Sequence, residues 1–131
     1  MGIGITVTCK SCSYNKSFLL GIGMDYPYLL GVVKELNKKA RLQVEELIAD
    51  NKIESHEYSR ALYRCPKCGT LAEKGSLTLF CNDGSVVEAP YFCRRCKSKF
   101  EIVDNLETIR NIECPKCKSV SLDYVENILW D

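Results

Sequence analysis

The chain is short of three things: histidine, long apolar runs and an excess of either charge. A single histidine, His56, leaves no Cys/His pair for nucleophilic chemistry. No carboxylate dyad with supporting spacing and no phosphate loop take its place, so catalysis is not expected. Gly21-Ile-Gly23 lacks a third glycine and a following Gly-Lys-Ser/Thr, and reads as a bend. The most apolar stretch, Phe18–Val33, is interrupted by Asp25 and Pro27 and is too short to span a bilayer. The N-terminus has no basic segment followed by an apolar run and a small-residue cleavage site. A soluble, cytoplasmic protein is therefore expected, in a compartment where thiols stay reduced. The formal net charge is only +1, which argues against a general polyanion binder.

Cysteine is what the chain has in abundance. Eight of the nine fall into four identical units: Cys9-Lys-Ser-Cys12, Cys65-Pro-Lys-Cys68, Cys93-Arg-Arg-Cys96 and Cys114-Pro-Lys-Cys117. Two intervening residues let a tight turn aim both thiolates at one point. Pro66 and Pro115 preset φ for such turns, and Gly69 suits the left-handed position after the second cysteine. Eight thiols complete two four-cysteine zinc sites. A disulfide framework would leave one thiol over and is disfavoured by the compartment. A thioredoxin-like dithiol would need one such unit beside a βαβ pattern, which is absent. Cys81 stands alone and reads as a small buried or edge residue.

The units can pair sequentially, nested or crossed. The gaps between them are 52, 24 and 17 residues. The last gap suits a knuckle–strand–turn–strand–knuckle ribbon, so sequential pairing is favoured: Cys9, Cys12, Cys65 and Cys68 in site 1, and Cys93, Cys96, Cys114 and Cys117 in site 2. Nested pairing, with Cys65/Cys68 joining Cys93/Cys96, is the main rival.

"CKSCSY" followed by "CPKCG" resembles the paired knuckles of rubredoxin-like zinc ribbons, through Cys9, Cys12, Tyr14, Cys65, Pro66, Cys68 and Gly69. Ser13 replaces the usual first glycine, and the intervening segment is far longer than in a rubredoxin. "YFCRRCKSKFEI" with "IECPKCKSVSL" resembles a generic zinc ribbon. The whole is similar to small bacterial proteins with two such ribbons, a group that brings no established activity. The resemblance allows iron as well as zinc in site 1, and hence an electron-transfer alternative.

Between the knuckles, Ile3–Thr8 alternates as a strand and Lys16–Leu20 returns from it. Leu29, Val33, Leu36, Ala40, Val44, Leu47 and Ile48 recur at helical spacing. This predicts one or two helices over about 27–50, with Asn37 as the break and residues 50–52 as the stop. Residues 55–60 read as a short helical turn, and residues 61–64 as a strand. Residues 76–80 and 86–91 read as strands around the Asp83-Gly84 turn, and residues 99–103 and 120–125 supply the last strands. Ile128, Leu129 and Trp130 are expected to pack onto the body.

The expected fold is a small metal-bound α+β protein: two zinc ribbons of short antiparallel hairpins, the first carrying the helical insertion. Residues 1–75 form the first unit and residues 76–131 the second. Two zinc ions would take the net charge to about −3, each tetrathiolate site adding −2. A non-catalytic role with an unknown protein partner is expected. The alternative is a nucleic-acid surface through Arg94, Arg95, Lys97 and Lys99.

Overall fold

The computed structural model describes residues 2–21, 33 and 36–130, of which 128–130 are described by backbone alone. The chain order is β1 (Gly2–Cys9), β2 (Asn15–Gly21), α1 (Lys38–Ala49), β3 (Ile53–Arg64), β4 (Leu71–Cys81), β5 (Val86–Glu88), β6 (Glu101–Ile102), a 3₁₀ helix (Leu106–Asn111) and β7 (Leu122–Trp130). The strands form one seven-stranded sheet in the order β5-β4-β3-β2-β1-β7, with β6 pairing β3 from the side. Every strand pairing is antiparallel.

The first two knuckles are turns of this sheet. Cys9–Cys12 caps the β1–β2 hairpin, whose register runs from Gly2↔Gly21 to Thr8↔Asn15. Cys65–Cys68 caps β3–β4, where Arg64 pairs with Leu71. The alternation of β4 buries Leu71, Gly75, Leu77, Leu79 and Cys81, the pattern of a strand with one face covered. At its far end Gly84 takes a φ of 88° in the turn to β5, as the Asp83-Gly84 signal predicts.

Two expectations change. Residues 55–60 are not helical but belong to β3, because each finds a partner on β4 from Ser55↔Phe80 to Arg60↔Gly75. Cross-strand packing overrides a weak local preference. Of the helical stretch expected over about 27–50, α1 occupies Lys38–Ala49, after the break expected at Asn37, and Val33 is also helical. Asn37 caps it, its side chain accepting from the Ala40 N–H at 2.9 Å, which satisfies a donor that the first turn leaves free. Residues 22–32 and 34–35, including the expected start at Tyr26-Pro27, lie outside the described residues, as do the side chains of Ile128, Leu129 and Trp130. Finally, the boundary expected between 75 and 76 falls inside β4, where Gly75 lies directly against Tyr58.

The buried side chains form two clusters. One joins Ala40 and Val44 of α1 to Tyr58, Leu77 and Leu79 of the β3–β4 hairpin and to Tyr91, Phe100, Cys65 and Cys93. The other joins Ile5, Val7, Phe18 and Leu20 of β1–β2 to Leu62, Leu71, Ile109, Leu122, Cys9 and Cys114. Each cluster therefore surrounds one pair of knuckles, and β3–β4 contributes to both. No helix among the described residues is long and apolar enough to cross a membrane.

Candidate metal centres

All four knuckles are built on one backbone device. The N–H of the first cysteine donates to the carbonyl five residues on: Cys9 to Tyr14, Cys65 to Thr70, Cys93 to Ser98 and Cys114 to Ser119, at 2.9–3.0 Å. In the last three, the N–H of residue i+4 also returns to the first cysteine's carbonyl. That closure needs a left-handed residue, supplied by Gly69 (φ 79°), Lys97 (φ 62°) and Lys118 (φ 65°). Two lysines adopt it where glycine would do so without cost. Ser13 does not, so the first knuckle is the open variant of the turn. Backbone N–H groups point at sulfur, with Ser11 to Cys9 Sγ, Tyr14 to Cys12 Sγ and Lys116 to Cys114 Sγ at 3.4 Å.

The quartets are Cys9, Cys12, Cys114 and Cys117, and Cys65, Cys68, Cys93 and Cys96, with all four sulfurs of each within 4.8 Å of one another. The pairing is nested, and the sequential assignment is corrected. The cause is strand pairing. β7 lies antiparallel to β1 with Cys9 opposite Leu122, and Lys10 N–H bonds the Ser121 carbonyl at 2.9 Å. Residues 114–117 just before β7 are thereby set at the knuckle end of β1. Pairing of β6 with Tyr63 and Arg64, and the Phe92↔Lys99 bridge, bring the third knuckle to the second. Each centre takes one knuckle from 1–75 and one from 76–131, so neither expected unit contains a ribbon of its own. The helix (Lys38–Ala49) therefore lies in the chain between the Cys9/Cys12 and Cys114/Cys117 knuckles of the outer site, and not, as expected, within a site closed by Cys65/Cys68.

The sulfur spacing decides what the quartets can do. Cys9 Sγ is 3.6 Å from Cys117 Sγ, and Cys12 Sγ is 3.7 Å from Cys114 Sγ. Cys68 Sγ and Cys93 Sγ are also 3.7 Å apart. A tetrahedron with Zn–S bonds of about 2.3 Å has edges of about 3.8 Å. A disulfide would need about 2.05 Å, and all nine cysteines are free. The donor set fits a tetrahedral thiophilic cation. Neither quartet includes Cys81, which is buried at the end of β4, or His56, which is half-buried on β3 opposite Leu79.

The protonation of the thiols agrees with this fit. The Ser121 hydroxyl, 3.1 Å from Cys9 Sγ, holds that thiol down at about 6, against the cost of burial. The Thr70 hydroxyl and N–H do the same for Cys68, also to about 6. Cys96 is pushed up to about 12, first by Cys68 and then by burial. At Cys12 the Tyr14 N–H pulls downward, but burial and the facing thiols outweigh it and carry it to about 12. Four thiolates cannot crowd together unaided. A divalent cation removes that repulsion and releases the protons.

Ser121 and Thr70 were not singled out from the sequence. The available signal was the hydroxyl residue two places after the second cysteine, at Thr70, Ser98 and Ser119. Ser121 escapes that pattern and reaches the other knuckle through β7. Around the first centre, Lys10 pairs with Asp123 at 3.8 Å and Lys116 Nζ donates to Ser13 Oγ at 2.6 Å. Lys118 Nζ donates to the Cys68 carbonyl, so a side chain of one centre grips the backbone of the other.

No known protein family, curated protein or solved structure matches this chain.

Proposed function

We propose that both quartets bind zinc as closed structural sites, and that the protein is a non-catalytic module whose surface serves protein interaction. The observation that carries this reading is the completeness of each site. Four cysteine sulfurs converge in each quartet, whereas catalytic zinc keeps three protein ligands and an open position. A structural zinc site contributes about 10–16 kcal/mol of apparent binding energy at pH 7, comparable with the whole stability of a domain, about 5–15 kcal/mol.

The test is elemental and spectroscopic. Purified protein should carry two zinc per chain, and chelation under reducing conditions should abolish its native circular dichroism. One metal or none, or a chelated chain that keeps its spectrum, would overturn the reading. The iron alternative drew on a rubredoxin-like pairing of the first two knuckles, which the nested arrangement separates. Visible absorption of a red protein would nevertheless restore it.

A nucleic-acid reading has one observation in its favour. Among the described residues Lys67, Arg94, Arg95, Lys97 and Lys99 form no ion pair with a carboxylate. Phe92 beside them is 47% exposed. Against it stands a holoprotein charge of about −3. Binding to a single-stranded oligonucleotide that weakens steeply with salt would decide for it.

A further inference from the structure

Beside the second centre, a cleft of about 850 Å³ opens between the chain leaving β5 and the chain entering β6. Its size lies toward the upper end of ligand sites. Its inner wall is aromatic: Tyr63 and Tyr91 meet edge to face at 5.4 Å, and Phe100 lies 6.4 Å from Tyr63. Its rim is acidic. Glu88, Glu101 and Asp104 line it, with Lys99 as the one cation among the described lining residues and Lys74 Nζ 5.9 Å from the Tyr91 ring. All three carboxylates are exposed, and among the described residues none forms an ion pair.

We propose that this cleft binds a lysine- or arginine-rich segment of a partner protein. The proposal rests on the protein-interaction reading above and names the chemistry of the partner. Charge complementarity selects a cation. The carboxylates are spread rather than gathered, because among the described residues only the two cysteine quartets bring three or more His, Cys, Asp or Glu ligand atoms within 4.8 Å of one another. Spread carboxylates match an occupant with several positive charges along a chain better than a single point charge. The lining suits such a chain. Ala89, Pro90 and the 43%-exposed Ile102 offer apolar surface to the methylene stems of long basic side chains. Ser76 and Thr78, also in the lining, offer hydroxyl acceptors to ammonium and guanidinium donors. Burial raises the Tyr63 hydroxyl, a hydrogen bond with Ser76 opposes it, and Glu88 adds a smaller electrostatic push upward. The cleft stands on the metal-braced knuckles, since Tyr63, Tyr91 and Phe100 share a buried cluster with Cys65 and Cys93.

The probe is a fluorescein-labelled octapeptide of alternating Arg and Lys, titrated by anisotropy with zinc-loaded full-length protein at low salt. Binding is expected, with at least a tenfold loss in the Glu88→Gln/Glu101→Gln/Asp104→Asn variant. A control, Glu45→Gln/Glu46→Gln/Glu54→Gln, makes the same change in net charge at exposed positions elsewhere and should bind within twofold of the parent. No binding, equal losses in both variants, or preference for an acidic peptide or an oligonucleotide would each overturn the proposal. Zinc content, measured on the same samples, separates the two readings. Two zinc without peptide binding refutes the cleft alone, whereas fewer than two refutes the structural-zinc reading itself.

Discussion

Removing knuckles two at a time tests the nested pairing directly. Replacing Cys65, Cys68, Cys93 and Cys96 by serine deletes one quartet and leaves Cys9, Cys12, Cys114 and Cys117 intact, with sulfurs already 3.6–3.7 Å apart. Replacing Cys9, Cys12, Cys65 and Cys68 removes the same number of thiols but halves both quartets. The first variant should retain one zinc per chain and the second none, by elemental analysis after gel filtration. Sequential pairing would give the reverse, zero and one, and either that result or equal counts would refute the geometry. The energetic consequence is localised. Losing one closed site removes about 10–16 kcal/mol of apparent binding energy, which a lobe with a domain's usual 5–15 kcal/mol does not survive. Because α1 packs in the cluster that surrounds Cys65 and Cys93, the first variant should also lose its helical circular dichroism. Deleting Cys9, Cys12, Cys114 and Cys117 instead should leave that signal and one zinc. Cobalt substitution supplies a second readout, since only an intact tetrathiolate gives the full tetrahedral spectrum.

Three further outcomes follow from particular contacts. Gly75→Ala would place a methyl group 2.4 Å from Tyr58 Cε2, on a ring only 6% exposed. Overpacking of this kind costs about 1–3 kcal/mol, and an unchanged thermal midpoint would contradict the packing. Asn37→Ala removes the cap on α1 and should cost about 1 kcal/mol in denaturant titrations. A loss no greater than at the exposed position Lys39→Ala would show that the helix starts elsewhere. The third concerns pH. The Arg110 guanidinium, 2.8 Å away, and the Tyr124 N–H hold Asp123 below its ordinary range. The Tyr124 hydroxyl and Arg110 do the same for Glu107. Folded values below unfolded ones mean a contribution that is present at neutral pH and lost as pH falls through the folded values. Protection of the Thr108 and Ile112 amides from exchange should therefore be flat above about pH 5 and fall below about 4. Protection that is the same in Asp123→Asn at every pH would contradict the network.

Local structure was legible wherever a residue's neighbours in sequence are also its neighbours in space. The knuckle turns follow from Cys-x-x-Cys with Pro66, Pro115 and Gly69. The β1–β2 hairpin follows from the alternation of Ile3, Ile5 and Val7. The cap at Asn37 and the turn at Gly84 carry their own chemistry. Residues 55–60 were misread because a strand's evidence lies in its partner, here β4, and not in its own propensity. The hydroxyl of Ser121 was missed for the same reason, since its sulfur lies 112 positions away in the chain.

What the sequence determined by itself is the set of candidate ligands: eight cysteines, in four turns that each present two sulfurs. Which turns meet was decided by the tertiary structure. Chain separation is a weak arbiter, because loop-closure entropy grows only logarithmically and each doubling of a loop costs about 0.6 kcal/mol. Closing the outer site across the 102 positions from Cys12 to Cys114, in place of about half that distance, is therefore a small penalty. The pairing of β7 along the whole of β1, from Gly2↔Trp130 to Cys9↔Leu122, outweighs it. That choice of neighbour, invisible in either strand alone, brings the first knuckle to the last and leaves the middle two to each other.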